Sequence, residues 1–182
     1  MNIPNLSNPR ADFEFSDSLY QAQRWDSINA GANRAAVGSH LFPDLSQPLD
    51  TGYWASLLIQ KGADVIAYDL QPPQTDRPQK WGHTRQYTQI LPGTAETLAG
   101  HGNRTLLLCW PPMGPMAAEC LYHWRGETLI YIGEGSGGMN ADDEFFAILG
   151  RDFNLQCEME IPRWYSIHDW IGFYRRRARV SR

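Results

Sequence analysis

Leu49–Pro73 reads LDTGYWASLLIQKGADVIAYDLQPP. Gly52 stands at a turn, and Tyr53–Lys61 (YWASLLIQK) suits a short helix that Gly62 is placed to end in the left-handed conformation. Ala63–Tyr68 (ADVIAY) is a short apolar run rich in strand formers, closed by Asp69. A glycine ahead of a helix lets backbone approach a ligand closely. The helix that follows offers unpaired N–H groups to a carboxylate or phosphate. An acid at the end of the next strand can accept both hydroxyls of a ribose. Asp69 follows Gly52 by 17 residues, close to the roughly 20-residue spacing of dinucleotide sites. One glycine with a distal aspartate also serves a purely structural turn, so the stretch speaks for a fold before it speaks for a function.

Upstream the pattern is less regular. The chain to about Ser18 is polar and contains two prolines, which predicts an arm. Leu19–Ala36 permits a helix weakened by Gly31. VGSHLFPDLSQPLDTG occupies the place of the first strand, but Pro43 and Pro48 break any regular element there.

Downstream the elements alternate. QPPQTDRPQKWGHTRQ is loop by composition, and Tyr87–Leu91 (YTQIL) is a strand. Thr94 starts a short helix with Glu96 and Thr97 in its first turn. Arg104–Trp110 (RTLLLCW) is apolar on both faces, as a central strand should be, and Pro111 and Pro112 stop it. Met116–Arg125 reads as a helix in which His123 packs, and Thr128–Ile132 (TLIYI) as a buried strand leading into GEGSGG. Asn140 is placed to cap the helix ADDEFFAILG, with Asp142 and Asp143 against its N-terminal dipole. Asn154–Ile161 and Trp170–Tyr174 follow with only the loop PRWYSIHD between them, so they pair antiparallel. Strand–helix units ending in an antiparallel pair predict an open α/β sheet, mostly parallel, with helices on both faces. The domain organisation expected is an arm (1–18), one α/β domain (19–177) and a basic tail (178–182). RRRARVSR (Arg175–Arg182) reads as a solvated run.

Bulk properties exclude several classes. The 182 residues are 42% hydrophobic and 20% charged with a formal charge of −4, which describes an ordinary globular domain with no basic stripe for nucleic acid. Cys109, Cys120 and Cys157 are widely spaced inside apolar runs, without a CxxC pair, and read as buried thiols of a reducing compartment. No apolar leader segment and no run of about 18 apolar residues occurs, so the expected location is cytoplasmic, without a membrane span. The histidine spacing offers no metal site; His83 and His168 lie in loops.

Ligands of such sheets bind beyond the carboxyl ends of the strands, where strand order reverses. Those ends supply Asp50–Trp54, Tyr68–Asp69, Cys109–Pro112 and Gly133–Gly138. Glu134, ending a buried strand between glycines, is a candidate general base or substrate ligand, or equally a structural clamp accepting from nearby glycine N–H groups.

GYWASLL, GADVIAYDLQPP, NRTLLLCWPP, MAAECL, GETLIYIGEGSGG, DDEFF and IPRWYSIHDWIGFYRR, taken in order from about Leu45 to Arg177, resemble a group of uncharacterised proteins with the S-adenosylmethionine-dependent methyltransferase fold. The resemblance implies a Rossmann-like, seven-stranded sheet and S-adenosylmethionine as cofactor. Its methionine moiety would lie over Gly52 and the helix start at Tyr53 and Trp54. Asp69, followed by Leu70, would hold the ribose, and Gly93 would flank the adenine. Cys109 and Pro111 would line the site on either side of Trp110. CWPP stands where amino-methyltransferases carry an Asp/Asn/Ser-Pro-Pro-aromatic motif. Trp110 takes the polar position and Met113 the aromatic one, so Trp110 either stacks on a flat acceptor or fills the core. The usual E-x-G-x-G-x-G motif is here Ser46–Gly52, with only its last glycine kept.

Three functions stay open on these residues. The first is methyl transfer to a small-molecule or protein acceptor, which needs alignment more than a catalytic triad. The second is a binding or regulatory protein that keeps the scaffold without the cofactor, with exposed tryptophans (of seven in the chain) marking a protein or homo-oligomer interface. The third is a crevice for another nucleotide.

Overall fold

The computed structural model describes residues 34–39, 52–70, 72, 87–161 and 166–178, with backbone alone for 34–39 and 53. In chain order the elements are β1 (Arg34–Ser39), α1 (Tyr53–Gln60), β2 (Asp64–Asp69), β3 (Ile90–Pro92) and a 3-10 helix (Ala95–His101). β4 (Thr105–Cys109), α2 (Met116–His123), β5 (Thr128–Gly133), α3 (Asp143–Asp152), β6 (Phe153–Glu160) and β7 (Trp170–Arg176) follow. The strands form one sheet in the order β3-β2-β1-β4-β5-β7-β6. All pairings are parallel except those of β7, which runs antiparallel to both β5 and β6. Each parallel step carries the chain over a face of the sheet, and those crossovers put helices on both faces.

β4 shows why the middle of the sheet is stable. Leu106 and Leu108 point into one apolar layer with Leu98 of the 3-10 helix, Ala117 and Leu121 of α2, and Phe145 and Ile148 of α3. Leu107 points into the opposite layer with Ala55 of α1, Ile130, Ile132 and Phe173. Each such leucine contributes about 1.5–3 kcal/mol on leaving water, and a strand buried on both sides reads as an unbroken apolar run. β6, at the edge, is exposed over Asn154, Leu155 and Gln156 and alternates half-buried with exposed residues only from Cys157 on.

Gly62 (φ 88) ends α1 in the left-handed conformation as the sequence predicts. Thr94 and Thr97 form a reciprocal capping box at the 3-10 helix.

Five expectations change. Arg34–Ser39, read as the end of a helix and the start of a loop, is a strand; Val37 pairs with Ala67 of β2 on one side and Leu107 of β4 on the other. The first strand therefore ends at Ser39, ahead of Pro43 and Pro48, and residues 40–51 connect it to Gly52. The cap of α3 is Asp142, whose Oδ1 accepts from the Phe145 N–H at 2.9 Å, because Asn140 spends its side chain elsewhere. His123 is exposed, while Trp124 beside it is fully buried.

The arginine run, fifth, is not a solvated tail at its start. The Arg176 guanidinium lies 4.4 Å from the Phe153 ring centroid and 5.3 Å from that of Trp124, and donates to the carbonyls of Gly126 (2.8 Å) and Trp124 (3.1 Å). Arg177 donates to the carbonyls of Phe153 and Gly150. The arm (1–18), Gly31, Ser46–Thr51, His83 and the tail beyond 178 lie outside the described residues.

Candidate active site at the carboxyl edge

Strand order reverses between β1 and β4, where Ser39 and Cys109 stand side by side at the carboxyl ends. The rule for open α/β sheets places a ligand crevice there. The candidate residues fall into two groups on either side of it.

On the β2 side, Gly52 caps α1 with φ 72, and a Cβ there would come within 2.7 Å of Thr88 Cγ2, so glycine is required for both torsion and space. Trp54 packs half-buried on the α1 face of the sheet; for Tyr53 the helical backbone alone is described. Asp69 ends β2 and is 2% exposed. Its carbonyl accepts from the Gly93 N–H at 2.9 Å, which draws the turn after β3 over the end of β2. A Cβ on Gly93 would meet the Tyr68 ring at 2.7 Å. The Tyr68 hydroxyl in turn hydrogen-bonds His101 Nε2 at 3.0 Å. Leu70, the next residue, is half exposed.

On the β4–β5 side the loops are stitched together. Pro111, fully buried, offers a carbonyl that accepts from both Asn140 Nδ2 (3.2 Å) and the Ala141 N–H (3.1 Å). The Asn140 Oδ1 accepts from the Glu134 N–H at 2.8 Å, so one amide side chain ties the end of β5 to the proline pair. Glu134 is buried, and both of its oxygens are engaged: Oε2 by the Met139 N–H (2.9 Å) and Oε1 by the His168 N–H (2.8 Å). The donors differ from the glycines expected, but the arrangement is that of the clamp reading. Tyr131 donates its hydroxyl to the Glu134 carbonyl at 2.6 Å. Burial, with Asp169 nearby, pushes that phenol far above its ordinary value and keeps it a donor.

Trp110 has φ 48. A bulky residue in the left-handed region, directly ahead of a proline that disfavours helical torsions, costs on the order of 1–3 kcal/mol. Two bonds hold it there. Its N–H donates to the Ile132 carbonyl at 2.7 Å, and its indole Nε1 donates to Asp169 Oδ2 at 3.1 Å. Asp169 is buried at the start of β7. Cys109 is half-buried on the same face as Trp110.

Gly52, Asp69, Gly93, Cys109, Trp110, Pro111 and Glu134 thus stand along the carboxyl edge of the sheet. Asn140 and Asp169 belong with them and were not among the sequence candidates. Asn140 carries no signal separating it from a cap. Asp169 has a faint one, an acid set directly against the aromatic run WIGFY. Among the described residues no group of three or more His, Cys, Asp or Glu could hold a metal ion.

A crystal structure from Streptococcus pneumoniae, Sp1610, provisionally assigned as a tRNA (m1A22) methyltransferase, matches 88% of this chain and 72% of its own at 14% identity, with a TM-score of 0.46. An rRNA methylase from Streptococcus thermophilus matches over 81% of this chain and 91% of its own at 13% identity, with a TM-score of 0.45. These are likenesses of fold. No protein-family model matches the sequence, and no curated protein does.

Proposed function

We propose that the protein binds S-adenosylmethionine at the β1–β4 crevice and transfers its methyl group to a small-molecule or protein acceptor. The observation that carries this reading is Asp69: a carboxylate ending the strand next to the reversal, with the glycine-started helix α1 ahead of it. A carboxylate is an acceptor-only group suited to paired ribose hydroxyls. Gly52 brings backbone and the first-turn N–H groups of α1 to where the cofactor's carboxylate would lie. Asp69, Glu134 and Asp169 are all buried at this edge, and their field favours a cationic sulfonium. The bound cofactor would supply an electrophilic methyl carbon; the chain would supply orientation and exclusion of water. Since Asp69 is 2% exposed, binding requires whatever covers it to move aside.

One observation favours a second reading, a scaffold without transfer activity. The Pro111 carbonyl and the Glu134 carboxylate, the groups that could hold an amine or take a proton, are both occupied by the protein's own N–H donors. Calorimetry with S-adenosylmethionine and S-adenosylhomocysteine separates the two. Micromolar binding that Asp69→Asn weakens at least about tenfold supports the cofactor site. The absence of heat at millimolar ligand overturns it and leaves the scaffold.

A further inference from the structure

The sheet ends in β3 on one side, a short strand closed by Pro92, and in β6 on the other. β6 runs from Phe153 to Glu160 (FNLQCEME) without a Lys, Arg or Pro to blunt its outer edge. A bulge between Leu155 and Cys157 interrupts its first half, and from Cys157 to Glu160 the pairing with β7 is regular. The Arg176 N–H donates to the Glu127 carbonyl and the Arg177 N–H to the Asp152 carbonyl. Along β7, then, even-numbered residues bond toward β5 and odd-numbered ones toward β6. Phe173 and Ile171 accordingly share main-chain bonds with Cys157 and Met159, opposite them in the register. The N–H and C=O groups of Glu158 and Glu160 point away from the sheet, where no strand pairs with them among the described residues.

The side chains at those same positions are acidic. Glu158 and Glu160 are exposed and form no ion pair among the described residues. Both stand beside aromatic rings, Glu160 opposite Trp170 and Glu158 opposite Gly172. A Cβ on Gly172 would run into the rings of Trp170 and Tyr174, which close over the glycine with 6.3 Å between their centroids. Burial, and then the charge of Glu158, hold the Tyr174 hydroxyl above its ordinary value, so this carboxylate acts on the same face as the ring. Leu155, opposite Tyr174 and 46% exposed, adds an apolar step to that face. Carboxylates on alternate residues, rings between them and open main-chain groups are complementary to an extended chain carrying cations.

We infer that the outer edge of β6 docks an extended basic peptide segment, which adds to the sheet as a strand and sets arginine or lysine side chains against Glu158 and Glu160. Main-chain bonds would supply the affinity and the two acids would select the partner. Basic residues at alternate positions of the segment reach both acids, because successive side chains of a strand turn to opposite faces. A second copy of this chain fits the edge poorly. Antiparallel pairing of two Cys157–Glu160 stretches sets the outward-facing Glu158 and Glu160 of one copy against the same acids of the other, and like charges opposite each other destabilise a strand pair. Docking at β6 does not depend on whether the β1–β4 crevice binds S-adenosylmethionine.

The test uses the full chain, with calorimetry and amide hydrogen exchange as readouts and a short, end-capped peptide alternating arginine with valine as the probe. One control replaces arginine by glutamate. The other is the arginine peptide N-methylated on every residue, which keeps its charge and has no N–H to donate. The arginine peptide is expected to bind and to slow exchange at the Glu158 and Glu160 amides at least about tenfold, and neither control to do so. Glu158→Pro removes an outward N–H without touching the bonds to β7, and should abolish binding. Glu158→Gln with Glu160→Gln should weaken it about fivefold, and Glu158→Lys with Glu160→Lys should transfer binding to the glutamate peptide. If Glu158→Pro does not fold, the lysine pair and the N-methylated peptide carry the same comparison. Equal binding of the N-methylated peptide, or unchanged affinity in a folded Glu158→Pro, overturns strand addition. Equal binding of the glutamate peptide overturns the charge selection. Sedimentation that finds a dimer dissociated by Glu158→Pro gives the edge to a second copy and overturns the peptide partner, as does the absence of heat with millimolar arginine peptide.

Discussion

The two ends of this sheet are tied off with opposite chemistry. At the amino edge, cations donate to main-chain carbonyls. Arg104 reaches across β1 to the Asp64 carbonyl (3.0 Å) and carboxylate (2.8 Å), and its own carbonyl receives the Trp124 indole N–H. Arg176 and Arg177 bind four further carbonyls. At the carboxyl edge, Glu134, Asn140 and Asp169 accept from main-chain and indole N–H groups instead. The amino edge is sealed by stacked rings: Trp124 and Phe153 lie within 4° of parallel, with Arg176 over both. The carboxyl edge carries strained torsions and exposed methionines. One edge is sealed and the other carries the candidate site, and substitutions should divide accordingly between stability and binding.

The largest effect is expected at the sealed edge. Trp124→Ala removes a fully buried indole and should cost about 3–5 kcal/mol in urea unfolding. A loss below 1 kcal/mol would break the contrast. Arg176→Met keeps the packed stem but leaves the Gly126 and Trp124 carbonyls without their donor, for about 2–3 kcal/mol. At the carboxyl edge Asn140→Ala should cost only about 1–2 kcal/mol, yet raise amide exchange at Glu134, whose N–H the Asn140 side chain ties to the Pro111 loop. Equal stability losses for Asn140 and Trp124 would argue that the two edges are not different in kind.

Alkaline pH supplies a milder probe of the core between them. Burial pushes the Cys120 thiol from 9.0 to about 12, and the Tyr174 hydroxyl from 10.0 to about 12. Both groups are held neutral by folding, so their contribution is complete below about pH 9 and is lost as pH rises toward 12. Chemical denaturation should show about 1 kcal/mol less stability at pH 10 than at pH 8, and Cys120→Ala should flatten that slope. Smallest of all is the exposed pair Arg175–Glu127. Despite its 2.6 Å contact, Glu127→Gln should change unfolding by less than about 0.5 kcal/mol, which sets the paired surface arginine apart from the stacked one beside it.

Much of the fold was legible because the buried strands are written as apolar runs. TLLLC and TLIYI announce themselves, and the Gly52–Asp69 stretch places turn, helix and strand within a residue or two. β1 was not legible. RAAVGS holds a single strong strand former, and its strand state depends on pairing with β2 and β4, whose residues lie 30 to 70 positions away. The first strand was consequently sought too close to Gly52. The positions of Gly52 at the helix start and Asp69 at the strand end were readable from local pattern, whereas the bond from Trp110 to Asp169 exists only once β7 is docked beside β5. Trp110 ahead of Pro111 should be extended by local rules, and its left-handed torsion is imposed by two distant partners. The arginines show the same limit, since a charge run does not reveal carbonyls waiting at Gly126 and Phe153.

The insertion of β7 between β5 and β6 has a consequence for synthesis on the ribosome. β5 and β6 emerge first and have no pairing with each other. Until Trp170–Arg176 leaves the exit tunnel, the sheet ends at β5, a buried apolar strand with an open row of N–H and C=O groups. A nascent chain stalled before β7 would present that row to any passing strand. The arginines just past it would then act as the final latch, closing the amino edge only when translation of the domain is complete.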